Sequence, residues 1–80
     1  MAQIKVYSTP TCPWCRMLKD FLREKKVVFE DIDVSTNADA ARDMVAKSGQ
    51  RGVPQTEING KLIVGFDQAA IEEELKKIGK

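Results

Sequence analysis

Both cysteines of the 80-residue chain fall in one short stretch, "STPTCPWCRM", where Cys12 and Cys15 bracket Pro13 and the only tryptophan, Trp14. Two thiols at this spacing have four chemistries open to them: a structural cross-link, a metal site, nucleophilic catalysis or electron transfer. A bridge over so small a loop removes little entropy from the unfolded chain, and structural disulfides are rare in a reducing compartment. A structural zinc asks for four ligands, mostly cysteine or histidine. The chain has two cysteines and no histidine. The missing histidine also speaks against a cysteine protease or acyltransferase, whose thiol needs such a base. Thiol–disulfide exchange needs only a thiolate and a second thiol within reach.

The elements around the pair fit that last chemistry. "QIKVY" (Gln3 to Tyr7) alternates apolar and polar residues and reads as a strand. "STPTC" turns the chain. A helix then opens with Cys12 near its N-cap and Pro13 in the first position, where a missing N–H costs nothing. A Cys-x-x-Cys opening a helix after a buried strand is a redox signature. Peptide N–H groups and the helix dipole favour an anion at Cys12. An ordinary thiol is only about 3% thiolate at pH 7, so this help matters. N–H···S bonds from Trp14 and Cys15 are expected to supply much of it. Cys12 is therefore the expected exposed nucleophile. Cys15 shares the face of Leu18 and Leu22 and points inward, as a resolving thiol or as a small core residue. Met17, Leu18, Phe21 and Leu22 form the expected apolar stripe; Arg16, Lys19, Asp20, Arg23 and Glu24 fall on the wet side.

Further along, "VVFEDIDV" (Val27 to Val34) reads as a second strand. "STNAD" offers N-caps for a helix over Ala38 to Ser48, which Gly49 stops. "QRGVPQ" is a loop. "TEI-NG-KLIV" is a hairpin around Asn59-Gly60. Asp67 caps a last helix with Ile71, Leu75 and Ile78 on one stripe, its acids before its lysines as the dipole prefers. The order is β-α-β-α-β-β-α in one domain, with a right-handed parallel crossover first and an antiparallel hairpin later.

Composition bounds the partners. The chain is 42% hydrophobic and 31% charged, with a net charge of +1 and interleaved signs. Neither nucleic acid nor an anionic membrane is the expected main partner. No apolar run approaches the roughly 20 residues of a membrane span, and "MAQIKVYS" lacks a signal-peptide layout. The expected compartment is the reducing cytoplasm and the expected state a monomer, with no bound metal. A chain this short buries only about 60–65% of its extended surface, so a stability of about 5–10 kcal/mol is expected.

At "CPWC" the chain resembles the glutaredoxins, and the likeness runs to its end. "SGQRGVPQTEINGKLIVGFD" (Ser48 to Asp67) is similar to the family's Gln-Arg, Val-Pro, "ING" and Gly-x-Asp segment in register. The resemblance implies a thioredoxin fold: a four-stranded mixed sheet in order 2-1-3-4 flanked by three helices on both sides. It implies a glutathione-dependent thiol–disulfide oxidoreductase that reduces protein disulfides and glutathione mixed disulfides. Glutathione is then a co-substrate and no cofactor is tightly held. Dithiols of this kind sit near about −200 to −230 mV.

Site residues carry over position by position. Cys12 and Cys15 match the redox pair. Pro13 and Trp14 match the residues between them, with Trp14 as an exposed flat surface for substrate. A cis bond is implied before Pro54, with the Val53 peptide pairing with glutathione as an added strand does. Gly65, Phe66 and Asp67 match the contact to the γ-glutamyl group; Asp67 is a good N-cap besides. Gln50 and Arg51 match the residues near the glycine carboxylate, where Arg51 is otherwise a solvated charge. Tyr7 is better read as core. The chain departs from the family pattern at two places: Thr9 stands where many members have lysine, and Val64-Gly65 where they have Gly-Gly. The following "GF" resembles redoxins fed by thioredoxin reductase that serve ribonucleotide reductase, a second reading of the electron donor. A reading of another class is an iron–sulfur carrier, with Cys12 of two chains and glutathione holding a cluster; Pro13 stiffens the loop against it.

Overall fold

The computed structural model describes residues 4–78. Its elements are β1 (Ile4–Ser8), α1 (Pro13–Glu24), β2 (Glu30–Asp33), α2 (Ala38–Ser48), β3 (Gln55–Ile58), β4 (Lys61–Val64) and α3 (Gln68–Lys77). Gln3, expected to begin the first strand, lies outside the described residues; the strand runs on to Ser8. The four strands form one sheet in the order β2-β1-β3-β4. β1 runs parallel to β2, with Val6 beside Asp31, and antiparallel to β3, with Val6 beside Thr56. β3 and β4 close the expected hairpin. Asn59 and Gly60 have φ of 51° and 86°, the pair of positive values a two-residue hairpin turn requires.

Strand alternation sorts side chains onto two faces. On one, Ile4, Val6, Ile58 and Ile63 meet Leu18 and Leu22 of α1 and Ile71 and Leu75 of α3. Ile78 and Phe66 pack at the margin of this core. The opposite face carries Tyr7, Gln55 and Glu57, all buried, beneath α2 and its one buried apolar residue, Met44. Lys47 of α2 reaches Glu57 at 2.8 Å and Asp43 at 3.2 Å. The carboxylates hold Lys47 above the ordinary lysine range, Glu57 chiefly. Tyr7 is core, as expected, and its burial raises its phenol.

The second strand is shorter than "VVFEDIDV" suggested. α1 ends in a Schellman motif: Val27 N–H donates to Leu22 O at 3.1 Å and Lys26 N–H to Arg23 O at 2.9 Å. The left-handed residue of that motif is Lys26, with φ of 58°, where glycine is usual. Val27 thus closes the helix and enters the core, Val28 is 90% exposed, and pairing with β1 starts only at Glu30. α2 keeps its expected bounds, while α3 ends at Lys77, so Ile78, expected on its stripe, is its C-cap residue. Asn37 caps α2 through Ala40 N–H at 3.0 Å, and Gly49 ends it at φ 73°. Asp67 caps α3 through Ala70 N–H at 3.1 Å.

Met17 corrects the expected stripe of α1. The buried residues are Cys15, Leu18 and Leu22, spaced three and four apart. A helix turns about 100° per residue, so Met17 lies a quarter-turn off that line. It is 47% exposed. Lys19 corrects the wet side. Its ammonium sits half-buried, 3.0 Å from Asp31 Oδ2, while Asp31 Oδ1 accepts from the buried Ser8 hydroxyl at 2.9 Å. No helix is long and apolar enough to cross a membrane among the described residues.

Candidate redox site

The site gathers at the C-terminal end of β1 and the N-terminal ends of β3 and α3. Ser8 ends the strand, Thr9 to Thr11 turn the chain, and Cys12 becomes the N-cap of α1 with Pro13 in the first turn. Cys12 is half-buried, Pro13 exposed and Trp14 58% exposed. Cys15 N–H donates to Cys12 Sγ at 3.3 Å. Sulfur thus takes the capping role usually filled by an oxygen. Of the two N–H groups expected at this sulfur, only that of Cys15 reaches it; the Trp14 N–H does not.

The partner thiol has the opposite surroundings. Cys15 is fully buried on the core face of α1. Burial foremost, then the Cys12 side chain, pushes the Cys15 thiol up to about 11. The Thr9 backbone and the Lys19 charge pull weakly the other way. Both cysteines are free. One turn of helix therefore offers an accessible sulfur on aligned dipoles and a protonated, hidden one behind it. That pairing suits sequential exchange: attack first, resolution second.

Facing Cys12 is the turn into β3. The Val53–Pro54 bond is cis, as the resemblance implied, and Cys12 Sγ lies 4.0 Å from Val53 O. Pro54 O accepts from Gly65 N–H at 2.8 Å, which draws the end of β4 against this turn. Gly65 has φ of 81°, open to glycine at no steric cost. Phe66 packs its ring against the core, edge-on to Phe21 at 5.6 Å. Asp67 is exposed at the start of α3, with Oδ1 engaged as the cap. Gln50 and Arg51 are exposed on the loop after α2. Gln50 is tied by its backbone: its N–H donates to Ser48 Oγ at 3.0 Å, and its carbonyl accepts from that hydroxyl.

Residue-type reasoning missed Gln55. This fully buried side chain donates through Nε2 to Gln50 O at 3.0 Å and Gly52 O at 2.8 Å. Read from the sequence as the end of the loop "QRGVPQ", Gln55 instead opens β3, a strand buried at all four positions. Among the described residues, no group of three or more histidine, cysteine or acidic side chains is placed to hold a metal ion.

A dithiol at a helix N-terminus, facing a cis-proline turn on a four-stranded mixed sheet, defines a thiol–disulfide exchange protein of thioredoxin fold. The glutaredoxin family profile matches residues 4–63, and the chain belongs to the glutaredoxin family of thiol–disulfide oxidoreductases. An uncharacterized glutaredoxin-like 8.6 kDa protein of the rubredoxin operon of Clostridium pasteurianum is 43% identical over 74 residues, 92% of this chain and 99% of its own. Glutaredoxin 3 of Escherichia coli K12 is 36% identical over 67 residues, 84% of this chain and 81% of its own. Among solved structures, the thioredoxin-like protein BC3987 superposes with a TM-score of 0.85 at 29% identity, covering 90% of this chain and 99% of its own. The glutaredoxin-like NrdH-redoxin of Escherichia coli, described by a thioredoxin-like activity profile, superposes at 0.82 with 25% identity, covering 89% and 92%.

Proposed function

We propose that the protein is a glutathione-dependent oxidoreductase that reduces glutathione mixed disulfides and protein disulfides through Cys12 and Cys15. The observation that carries the reading is the contrast within the pair: Cys12 Sγ accepts the Cys15 N–H at 3.3 Å at the helix start, while Cys15 is buried.

The Cys12 thiolate attacks one sulfur of the substrate disulfide. The other sulfur leaves as a thiolate and takes a proton from solvent. The mixed disulfide on Cys12 is then resolved in one of two ways. A glutathione thiolate attacks the attached group and frees Cys12, or Cys15 attacks Cys12 Sγ and releases the substrate thiol. The second route leaves a Cys12–Cys15 disulfide, which two glutathiones reduce as they become oxidised glutathione.

Val53 would align the substrate backbone beside Cys12, with Pro54 holding the turn. Gly65, Phe66 and Asp67 would receive the γ-glutamyl end through peptide N–H groups and the start of α3. Gln50 and Arg51 would face the glycine carboxylate. Pro13 and Trp14 would bound the opposite side. The working compartment is the reducing cytoplasm, where glutathione is the thiol pool.

A second reading concerns only the donor. Thr9 in place of lysine and Phe66 after Gly65 favour reduction by thioredoxin reductase, with delivery to an enzyme that forms a disulfide each turnover. NADPH oxidation with glutathione reductase and glutathione, against NADPH oxidation with thioredoxin reductase, tests the two. Turnover of a small glutathione mixed disulfide in the first system supports the main reading. Turnover only in the second replaces it.

A further inference from the structure

Gln55 opens the central strand β3, directly after the turn that faces Cys12. Its side chain lies fully buried on the α2 face of the sheet. Both amide protons are spent on the loop before it: Nε2 donates to Gln50 O at 3.0 Å and to Gly52 O at 2.8 Å. The other end of the amide, Oε1, is buried without a hydrogen-bond partner. A buried acceptor left unpaired is costly, and such groups are few in folded proteins. An apolar residue of similar size would fill this space without that cost. The position therefore keeps an amide for what its nitrogen does.

The nitrogen holds the loop from two sides. Gln50 O is also fixed by the Ser48 hydroxyl at 3.0 Å, so the loop is anchored to the end of α2 and to β3 at one carbonyl. Gly52 O, the second anchor, belongs to the residue just before Val53. Between the anchors, Arg51 projects into solvent. Only after Pro54 does the sheet ladder take over, from Gln55 beside Val64.

We propose that Gln55 is a positioning residue for substrate binding: its amide clamps residues 50–52, and so sets the place of the Val53 peptide opposite Cys12 and of the Gln50 and Arg51 side chains on the same loop. This rests on the reading of that loop as the substrate-facing edge. Gln55 does not itself touch the reacting sulfurs.

The test uses Gln55→Leu, which keeps the volume, and Gln55→Glu. Four quantities are read: KM and kcat for a glutathione mixed disulfide, the alkylation rate of Cys12, and the backbone NMR order parameters at 51–53. In Gln55→Leu, KM rises about tenfold with kcat within about twofold. Order parameters at 51–53 fall while those of the β3–β4 hairpin hold, and Cys12 alkylation is unchanged. In Gln55→Glu, the ionised side chain has no proton to offer the two carbonyls. Its protonated form donates to one of them. The KM ratio of variant to wild type therefore falls as pH is lowered from about 8 to about 6. A merely structural role would not give that partial rescue. An unchanged KM and unchanged loop order parameters in Gln55→Leu overturn the proposal. Should that variant not fold, a pH-independent KM ratio in Gln55→Glu overturns it instead. If the wild type shows no turnover with glutathione, the donor reading has failed and the clamp has not. The order parameters still decide, and KM is then read with a protein disulfide and thioredoxin reductase.

Discussion

The Cys15 N–H donates to Cys12 Sγ at 3.3 Å while the Cys15 thiol points into the core, so one residue caps its partner's sulfur with its backbone and hides its own. The backbone of the buried cysteine is part of the environment of the half-buried one. The contrast follows from helix geometry. The N-cap faces unpaired N–H groups, and three residues on, the helix has turned toward the sheet.

The first prediction concerns selective modification. A limiting alkylating reagent at neutral pH labels reduced protein at Cys12, with Cys15 slower by about a hundredfold or more, because a thiol at about 11 carries very little thiolate. Peptide mass mapping over a time course reads this. Equal labelling of the two sulfurs would contradict the burial of Cys15.

The second is a pH dependence of stability. Cys15 titrates near 9.0 in the unfolded chain and near 11 in the fold. Between those values the unfolded state has lost a proton that the folded state keeps. Stability from this group is thus full below about pH 9 and falls with rising pH, by up to about 1.4 kcal/mol per unit. Tyr7, also raised by burial, and Lys47, raised by Glu57 and Asp43, act in the same direction at higher pH. Urea unfolding of reduced wild type against Cys15→Ala isolates the cysteine's share. The gap between them narrows from about pH 9 to about pH 11; a constant gap would contradict it.

A third prediction uses Lys26, whose positive φ costs a non-glycine residue. Lys26→Gly relieves that cost, partly offset by the freer unfolded chain. The expected gain is about 0.5–1 kcal/mol, seen as a higher urea midpoint at unchanged slope. A loss of stability would mean the Lys26 side chain is worth more than its backbone strain.

The fourth separates two roles of Asp67. Its Oδ1 caps α3 through Ala70 N–H. Asp67→Ala removes cap and charge, and costs about 1 kcal/mol. Asp67→Ser keeps a capping oxygen and removes only the charge. If the carboxylate also meets the α-amino group of glutathione, Asp67→Ser raises KM about threefold to tenfold at unchanged melting temperature. A normal KM in Asp67→Ser would leave the residue as a cap alone.

Much of this was legible in the chain because local chemistry and tertiary need agree. Asn59-Gly60 takes the two positive φ values a tight hairpin demands. Asn37 and Gly49 close α2 at both ends, and the spacing of Cys15, Leu18 and Leu22 puts the second thiol inside. Apart from Met17, which helix periodicity alone places off the buried stripe, the failures have a common cause, which is that pairing and long reach are not local. "VVFEDIDV" has strand character throughout, but Val27 is needed to finish α1 and β1 offers a partner only from Glu30. Lys19 looks solvated by residue type, and only the crossover brings Asp31 and Ser8 beside it. Gln55 gives no sign by type that its two donors reach back over the loop.

The central claim is the order of events, with Cys12 attacking and Cys15 resolving. The most direct measurement is the intact mass of reduced protein exposed to oxidised glutathione and quenched in acid, for wild type, Cys12→Ser and Cys15→Ser. The account predicts one stable glutathione adduct on Cys15→Ser, mapped to Cys12. Wild type passes through the same adduct to an internal disulfide, and Cys12→Ser stays unmodified. An adduct on Cys15 in Cys12→Ser, formed as fast as the one on Cys12, would contradict the assignment of the two sulfurs.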